Sequence, residues 1–243
     1  MAQPALLTPI LCCILMKSLP EIFEESASLD APLSARLAHF DLGLRASGLA
    51  WSAEYDALVA RLQSAESGSG APAVGEPFPP FLLPDEHDRL VSSQDLLAAG
   101  PLVVSFNRGH WCEFCQLELR ALQQISPHIE ALGANIVAIT PELNAGGARC
   151  KIANNLSFPV LCDLDLECSL SLGLAIPVGE RIRDLLSADG VSLSQLQGGP
   201  GWLLPIPATF VIASDGTIAA RYVDSDFRRR MEMADILAAL KTA

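Results

Sequence analysis

Positive charge is scarce in this chain of 243 residues. It contains 16 Lys and Arg against 28 Asp and Glu, which gives a formal net charge of -12. The one basic run is Arg228 to Arg230, which we interpret as a solvated helix entry. Because phosphate groups and anionic membranes attract basic surfaces, this balance argues against nucleic acid and membrane surfaces as partners.

A long apolar run is also missing. The apolar segment from Ala5 to Met16 is interrupted by Pro9 and is far shorter than the roughly 20 residues of a membrane helix. A secretory signal places positive charge before its apolar run, whereas Lys17 follows it here. We therefore expect a cytoplasmic protein. A further hypothesis is that Met16 is the natural start and residues 1–15 are an upstream extension.

Cysteine is sparse, with seven residues in the chain. Small secreted disulfide scaffolds are far richer in cysteine, and an odd number leaves one thiol unpaired, so thiols kept reduced in a cytosol are the simpler interpretation. Cys112 and Cys115 form a CxxC pair, and neither a second CxxC nor an HxxxH motif accompanies them. Since tetrahedral zinc takes four ligands, the sequence predicts no metal site, and we expect no cofactor.

The N-terminal part of the chain predicts helices. Apolar residues recur at three-to-four-residue spacing from Leu33 to Leu62 with a break at Gly48, and Ser52 is the candidate N-cap of the second helix. A Gly-, Ser- and Pro-rich stretch follows. We therefore expect a helical extension over residues 1–70 and a second domain over residues 71–243. The apolar stripe of the second helix permits a homodimer.

Beyond residue 71, predicted strands and helices alternate. Pro127 predicts a kink or break in the longest helix, Asp215-Gly216 predicts a hairpin, and residues 175 to 203 are expected to be irregular apart from a turn at Arg181 to Leu186. This order predicts an α/β, thioredoxin-like fold with a central mixed sheet flanked by helices. The predicted strands are Leu102 to Asn107, Asn135 to Thr140, Phe158 to Asp163 and the hairpin arms; the predicted helices are Glu113 to Leu132, Ala145 to Asn155 and Met231 to Leu240.

Cys112 and Cys115 are the candidate reactive centre. They lie where a predicted buried strand meets a helix, and residues i and i+3 of a helical turn are about 5–6 Å apart, within reach of a disulfide. The helix N-terminus favours a thiolate, so we expect a partly exposed thiol of low pKa that serves thiol–disulfide exchange. The alternatives are half a zinc site, a structural disulfide and inert core thiols. Polar neighbours such as Glu113 and Glu118 argue against a sealed core.

The segment FNRGHWCEFCQLELRALQ, from Phe106 to Gln123, resembles the signature of peroxiredoxin-like proteins of the alkyl hydroperoxide reductase / thiol-specific antioxidant (AhpC/TSA) superfamily, in the branch with WCxxC. Residues 75–106 resemble its opening and residues 204–232 its closing segment. The resemblance covers about residues 71 to 241. It implies a thioredoxin fold, antioxidant thiol chemistry, a peroxide or disulfide substrate, and a protein dithiol or small thiol as electron donor.

Two departures from the family pattern bear on the chemistry. In Pro-x-x-x-Thr-x-x-Cys, Cys115 takes the peroxidatic position, Cys112 the Thr position and Arg108 the Pro position. Where peroxiredoxins place an arginine, Pro207 resembles the cis-proline of thioredoxins, hence the hypothesis that the Ile206–Pro207 bond is cis. We expect a thiol–disulfide oxidoreductase in which Cys112 attacks and Cys115 resolves. The alternatives are a thiol peroxidase with Cys115 attacking and Cys112 resolving, and a non-enzymatic binding module.

Several neighbours are candidates for supporting the pair. We expect Trp111 either to shield the cysteines or simply to pack, and Arg108 to be exposed or paired with Glu118, with lowering of a thiolate pKa as the alternative. The resemblance makes Glu118 the carboxylate that follows the peroxidatic cysteine; the alternative is a merely polar position on the helix. We expect His110 to be exposed and Trp202 to lie in the core or line the site. The supporting candidates are Trp111, Arg108, Glu118, Pro207 and Thr209.

Overall fold

The computed structural model describes residues 17–243. The apolar segment from Ala5 to Met16, with the hypothesised start at Met16, lies outside the described residues. Within them, no helix combines the length and the apolar character that crossing a membrane requires. The helices are α1 (Leu19–Ser28), α2 (Leu33–Ala46), α3 (Trp51–Ser64), α4 (Ser93–Ala99), α5 (Glu113–Ala131), α6 (Asn144–Asn154), α7 (Glu167–Ser171), α8 (Glu180–Ala188), α9 (Leu193–Gln197) and α10 (Met233–Leu240).

A mixed five-stranded sheet lies at the centre of the fold. The strands of the chain are β1 (Leu82–Pro84), β2 (Leu90–Ser92), β3 (Leu102–Phe106), β4 (Asn135–Thr140), β5 (Val160–Cys162), β6 (Ala175–Pro177), β7 (Leu203–Pro205), β8 (Ala208–Ile212) and β9 (Ile218–Val223). The central sheet has the order β5-β4-β3-β8-β9, in which β3, β4 and β5 run parallel and β8 and β9 pair antiparallel. The predicted α/β, thioredoxin-like architecture is therefore confirmed.

Helices cover both faces of the central sheet. Along β3, Val104 belongs to one apolar cluster and Val103 to the other, because successive side chains of a strand point to opposite faces. All five residues of β3 and of β8 are buried, as expected of central strands that are covered on both sides. The carboxyl end of β3 consequently opens into a loop held close to the core, and this loop leads into α5.

The N-terminal helices pack against the beginning of α5. Phe40 of α2 meets Phe114 edge to face with ring centroids 5.2 Å apart, and Tyr55 of α3 meets the same ring at 6.3 Å. Their apolar residues share one cluster with the adjacent face of the sheet. Helices α1 to α3 therefore wall the start of α5, where the cysteine pair lies. The proposed division into residues 1–70 and 71–243 stays a prediction.

Two local predictions are wrong, and of the kink or break predicted at Pro127 the break is wrong. Helix α3 begins at Trp51, not after Ser52, because Ala50 already has helical backbone angles. Pro127 does not break α5: the carbonyl of Gln123, which loses its helical N–H partner, accepts a hydrogen bond from Ser126 Oγ at 3.0 Å instead. The supposedly irregular region of residues 175–203 contains α8, α9 and the strands β6 and β7, which pair antiparallel with each other.

Candidate active site

Cys112 and Cys115 lie at the N-terminus of α5, directly after the β3 loop. Cys112 is the N-cap residue, and its Sγ accepts the backbone N–H of Cys115 at 3.4 Å. The two Sγ atoms are 2.6 Å apart, and both cysteines are free thiols. A strand that delivers the chain to a helix start thus brings the sulfurs into direct contact, so that a bond between them needs no rearrangement of the backbone.

Arg108 holds the sulfur of Cys112. Its Nε and one terminal nitrogen donate to Cys112 Sγ at 3.3 and 3.2 Å. The guanidinium carbon lies 3.7 Å from the ring centroid of Phe227. The ring centroids of Tyr55 and Trp111 are farther away, at 5.5 and 5.4 Å. Arg108 is only 2% exposed, so the expectation of an exposed arginine is wrong. Burial disfavours the charged guanidinium, but Cys112, Tyr55 and Cys115 outweigh it and raise the pKa of Arg108. The three aromatic rings add cation–π contacts.

A buried ion pair lies behind Cys115. Arg230 Nε donates to Glu118 Oε2 at 2.7 Å, and Thr209 Oγ1 donates to the other carboxylate oxygen at 2.9 Å. A terminal nitrogen of Arg230 reaches Cys115 Sγ at 3.6 Å. The partner of Glu118 is thus Arg230, not Arg108 as expected. The interpretation of residues 228–230 as a solvated helix entry is wrong for Arg230, which is 6% exposed because the segment after β9 turns its side chain inward.

The two thiols titrate as one unit. Burial raises the pKa of each, but for Cys115 the hydrogen bond between the sulfurs and the guanidiniums of Arg230 and Arg108 outweigh burial and lower the pKa to about 5. The pKa of Cys112 lies well above its ordinary value, chiefly through burial and the contact with Cys115. These two pKa values place the shared proton on Cys112 and the negative charge on Cys115. The three N–H donors around Cys112 Sγ favour the opposite arrangement, with the negative charge on Cys112. The pair therefore holds one negative charge that either sulfur can carry.

Gly109 and Glu142 shape the loop that precedes the pair. Gly109 has φ of +143°, and a Cβ atom at this position would lie 2.6 Å from both Glu142 Oε1 and Trp111 Nε1. Glu142, which is 1% exposed, accepts the backbone N–H of His110 at 2.8 Å and contacts His110 Nδ1 at 2.8 Å. His110 is partly buried by this contact, so its expected full exposure is wrong. The buried carboxylate of Glu142 therefore fixes the loop that precedes Cys112.

Both cysteines are completely buried, so the expectation of a partly exposed thiol is wrong. Burial arises because α1 to α3 and the segment after β9 cover the helix start. Trp111 is partly exposed at the edge of this cover, while Trp202 is 46% exposed and stacks on Arg183, with 3.6 Å from the ring centroid to the guanidinium carbon. Trp202 therefore belongs neither to the core nor to the lining of the cysteine pair.

Pro207 lies between β7 and β8. None of the peptide bonds from residue 17 onward is cis, so the hypothesis of a cis bond before Pro207 is wrong. The backbone N–H of Ile206 donates to the carbonyl of Leu174 at 2.8 Å, and Ala208 pairs with Phe106 in the central sheet. Pro207 thus joins two hydrogen-bonded segments in the trans form that X–Pro bonds usually prefer.

The remaining described cysteines take no part in the site. Burial raises the pKa of Cys150, Cys162 and Cys168 to about 12 in each case. Such thiols are protonated at neutral pH and therefore unreactive. Cys12 and Cys13 lie outside the described residues.

Sequence reasoning missed three residues that complete the site: Tyr55, Phe227 and Arg230. They come from α3 and from the segment after β9, and they meet Cys112 and Cys115 only in the folded chain. The only signal in the sequence was that a phenylalanine directly precedes three arginines in the segment DFRRR, residues 226–230. Nothing in that string distinguishes its buried arginine from its exposed ones.

A buried CxxC pair, in contact with two arginines at a helix N-terminus, thus lies at the end of a strand of the thioredoxin-like sheet. The AhpC/TSA family matches residues 74–221, more than half of the chain. The chain therefore belongs to this family of peroxiredoxin-type thiol enzymes. None of the curated proteins matches it in sequence.

Solved structures of peroxiredoxins share the fold. Peroxidoxin BcpB from Mycobacterium tuberculosis superposes with a TM-score of 0.54 at 20% identity, over 70% of this chain and 96% of that one. Reduced Prx3 from Vibrio vulnificus, in complex with hydrogen peroxide, gives 0.54 at 19% identity over 70% and 99%. A cysteine-to-serine mutant of peroxiredoxin 6 from Arenicola marina gives 0.55 at 16% identity over 70% and 72%. The matched domain of this chain is thus accompanied by residues that these structures do not match.

Proposed function

We propose that the protein is a thiol–disulfide oxidoreductase whose redox couple is Cys112 and Cys115. The observation that carries this proposal is the direct contact of two thiols at a helix N-terminus between two buried guanidiniums. Arg108 and Arg230 stabilise a thiolate, and the second sulfur already lies in contact with the first, at 2.6 Å. An attacking sulfur with a resolving partner in place is the requirement of thiol–disulfide exchange.

The proposed cycle moves two electrons to the substrate. The Cys112 thiolate attacks one sulfur of a disulfide, which forms a mixed disulfide and releases one thiolate. Cys115 then attacks Cys112 Sγ, which releases the second thiol and closes the internal disulfide. A protein dithiol or small thiol returns both cysteines to the reduced form and is itself oxidised. With a peroxide, the attacking sulfur takes up one oxygen as a sulfenic acid, while the O–O bond breaks and the other oxygen leaves as an alcohol or water. The second thiol then attacks the sulfenic sulfur, which forms the disulfide and releases water.

We assign the attack to Cys112 because both of its neighbours in the chain, Trp111 and Glu113, are partly exposed. Phe114 and Gln116, which flank Cys115, are buried. Since neither sulfur is exposed, the loop that carries Arg108 and Trp111 has to open before substrate reaches the pair. Trp111 then acts as the shield that sequence analysis suggested.

A thiol peroxidase in which Cys115 attacks is the second candidate. It is favoured by the position of Cys115 in the family pattern and by Arg230, which approaches Cys115 Sγ at 3.6 Å. The family pattern has an arginine where this chain has Pro207. Here Arg230, from the segment after β9, supplies a cation near Cys115 instead. The two candidates share one couple and differ in which sulfur meets the substrate.

Single cysteine variants separate these proposals. Wild type treated with one equivalent of peroxide or disulfide is expected to lose two thiols and to yield a peptide with Cys112 linked to Cys115 by mass spectrometry. Cys115→Ser is expected to trap a mixed disulfide on Cys112, while Cys168→Ser serves as a control outside the site. Peroxide consumption that survives in Cys112→Ser and vanishes in Cys115→Ser would assign the attack to Cys115. Two thiols that persist after oxidation would refute the couple itself.

The cellular setting is part of the proposal. We place the protein in the cytoplasm, since seven cysteines include a pair that must be reduced after each cycle. A homodimer stays a prediction, and analytical ultracentrifugation of the reduced full chain tests it.

A further inference from the structure

A cavity of about 270 Å³ lies beside the cysteine pair. Half of its lining residues come from the N-terminal helices, which lie outside the segment that matches the family. Two tryptophans, a tyrosine and a phenylalanine contribute to it, and four of the other six lining residues are aliphatic. The lining residues are Leu19, Phe40, Leu44, Trp51, Tyr55, Trp111, Glu113, Leu186, Asp189 and Val191.

The cavity is separated from Cys112 by one layer of aromatic rings. Tyr55 and Trp111 line the cavity, and the guanidinium of Arg108 lies 5.5 and 5.4 Å from their ring centroids. The same guanidinium donates to Cys112 Sγ at 3.2 Å. A molecule in the cavity therefore rests against the groups that cover the sulfur, and movement of Trp111 would bring the two together.

The polar groups of the cavity are acidic. Asp189 accepts the indole N–H of Trp51 at 2.9 Å, which fixes one carboxylate at the wall. Glu113 supplies a second carboxyl, and Asp189 lies close enough to add to the burial that raises the pKa of Glu113. No lysine or arginine is among the described residues that line the cavity. Arg108, which contacts Tyr55 and Trp111 of the lining, is engaged with the thiol pair. An anionic ligand would thus meet two carboxyl groups in the cavity wall.

We propose that this cavity is the substrate site of the redox pair and that it selects uncharged or cationic molecules with an aromatic or branched apolar body over anionic ones. An apolar cavity of about 150 Å³ holds benzene, so this one admits a substituted ring. Its volume lies near the lower end of small-molecule sites, roughly 300–1,000 Å³. The inference rests on the proposed function, because it assigns the occupant as the substrate of that couple.

Binding is tested first, without any redox step. Benzylamine, benzyl alcohol and benzoate share one aromatic body and differ in charge, and their binding to the reduced full chain is measured by calorimetry. Benzylamine and benzyl alcohol are expected to bind at least tenfold more tightly than benzoate. Val191→Phe, which fills the cavity from a partly buried position, is expected to abolish binding, while Val74→Phe at an exposed position away from the cavity leaves it unchanged. Asp189→Asn is expected to reduce the difference in binding affinity between benzylamine and benzoate, because it removes one negative charge from the cavity wall.

Turnover is tested second. Val191→Phe is expected to lower kcat/KM for cumene hydroperoxide at least tenfold, whereas Val74→Phe, at an exposed position away from the cavity, is expected to leave it within twofold of wild type. Equal affinity for the three probes, absence of binding by all of them, or full binding by Val191→Phe overturns the cavity proposal. If the wild-type protein binds the probes but turns over no peroxide and no disulfide, the proposed redox function is refuted instead.

Discussion

Arg230 and Glu118 form the most deeply buried ion pair near the site, and Arg230→Met tests what it contributes. The side chains are 1% and 0% exposed, and the contact is 2.7 Å. Removing the cation leaves the Glu118 carboxylate with Thr209 as its remaining donor. Breaking one half of a buried pair costs about 3–5 kcal/mol. For a chain of this length, about 2–4 °C is lost per kcal/mol, so the melting temperature is expected to fall by about 6–20 °C.

The assay is thermal and urea unfolding of the reduced protein, with Arg229→Met as the matched control. The Arg229 side chain is 69% exposed and lies 3.8 Å from Asp226, so its loss is expected to change stability by less than about 0.5 kcal/mol. The double variant Arg230→Met/Glu118→Gln removes both charges and is expected to recover part of the loss. If Arg230→Met is no less stable than Arg229→Met, the ion pair does not hold the helix start and the reasoning fails.

The same variant is expected to change the chemistry of the thiols. Arg230 lowers the pKa of Cys115, so its removal raises that pKa, by about one unit or more for a cation at this distance. Because a thiol with a raised pKa ionises at higher pH, the rise in thiolate absorbance near 240 nm shifts upward in pH. An unchanged titration would show that Arg108 alone stabilises the thiolate.

Further predictions concern the loop and the inert thiols. Arg108→Met is expected to raise the pKa of the pair, seen as slower alkylation near pH 6. Gly109→Ala is expected to destabilise the protein by at least about 2 kcal/mol, because its Cβ would meet Glu142 at 2.6 Å, whereas Gly190→Ala meets nothing within 4 Å and costs about 1 kcal/mol for its positive φ. Alkylation of the native protein at pH 8, followed by peptide mapping, is expected to spare the thiols whose pKa lies near 12, which ionise only as the pH approaches that value. These are Cys150, Cys162 and Cys168.

The fold was predictable because its signals are local. The buried runs that became β3 and β4 consist of apolar and β-branched residues, and Asp215-Gly216 lies at the turn between β8 and β9 as predicted. The position of the cysteine pair was predictable for the same reason, since a strand end, a glycine and a helix start follow one another within about ten residues. Strands β6 and β7 were missed because each has only three residues and contains a proline, too short for a periodic pattern.

The environment of the pair was not predictable, because it depends on long-range packing. The burial of Arg108 requires Tyr55 and Phe227, which lie more than fifty and more than a hundred residues away in sequence. An arginine next to a turn glycine is typical of an exposed position, and only the aromatic cluster reverses that expectation. Likewise, Glu118 was expected to pair with Arg108, ten residues earlier in the chain, whereas the fold brings Arg230 to it from the segment after β9.

The charges around the pair determine which redox state the protein favours. Arg108 and Arg230 provide two buried cations, and Glu118 and one thiolate provide two anions, so the reduced site is balanced. In the proposed couple, formation of the disulfide would remove the thiolate and leave one cation without a partner, and an uncompensated buried charge costs several kcal/mol. We therefore expect the dithiol to be stabilised over the disulfide, so that the oxidised protein would be a stronger oxidant than a variant without the two arginines. This holds whichever sulfur attacks, because both arginines act on a charge that the two sulfurs share.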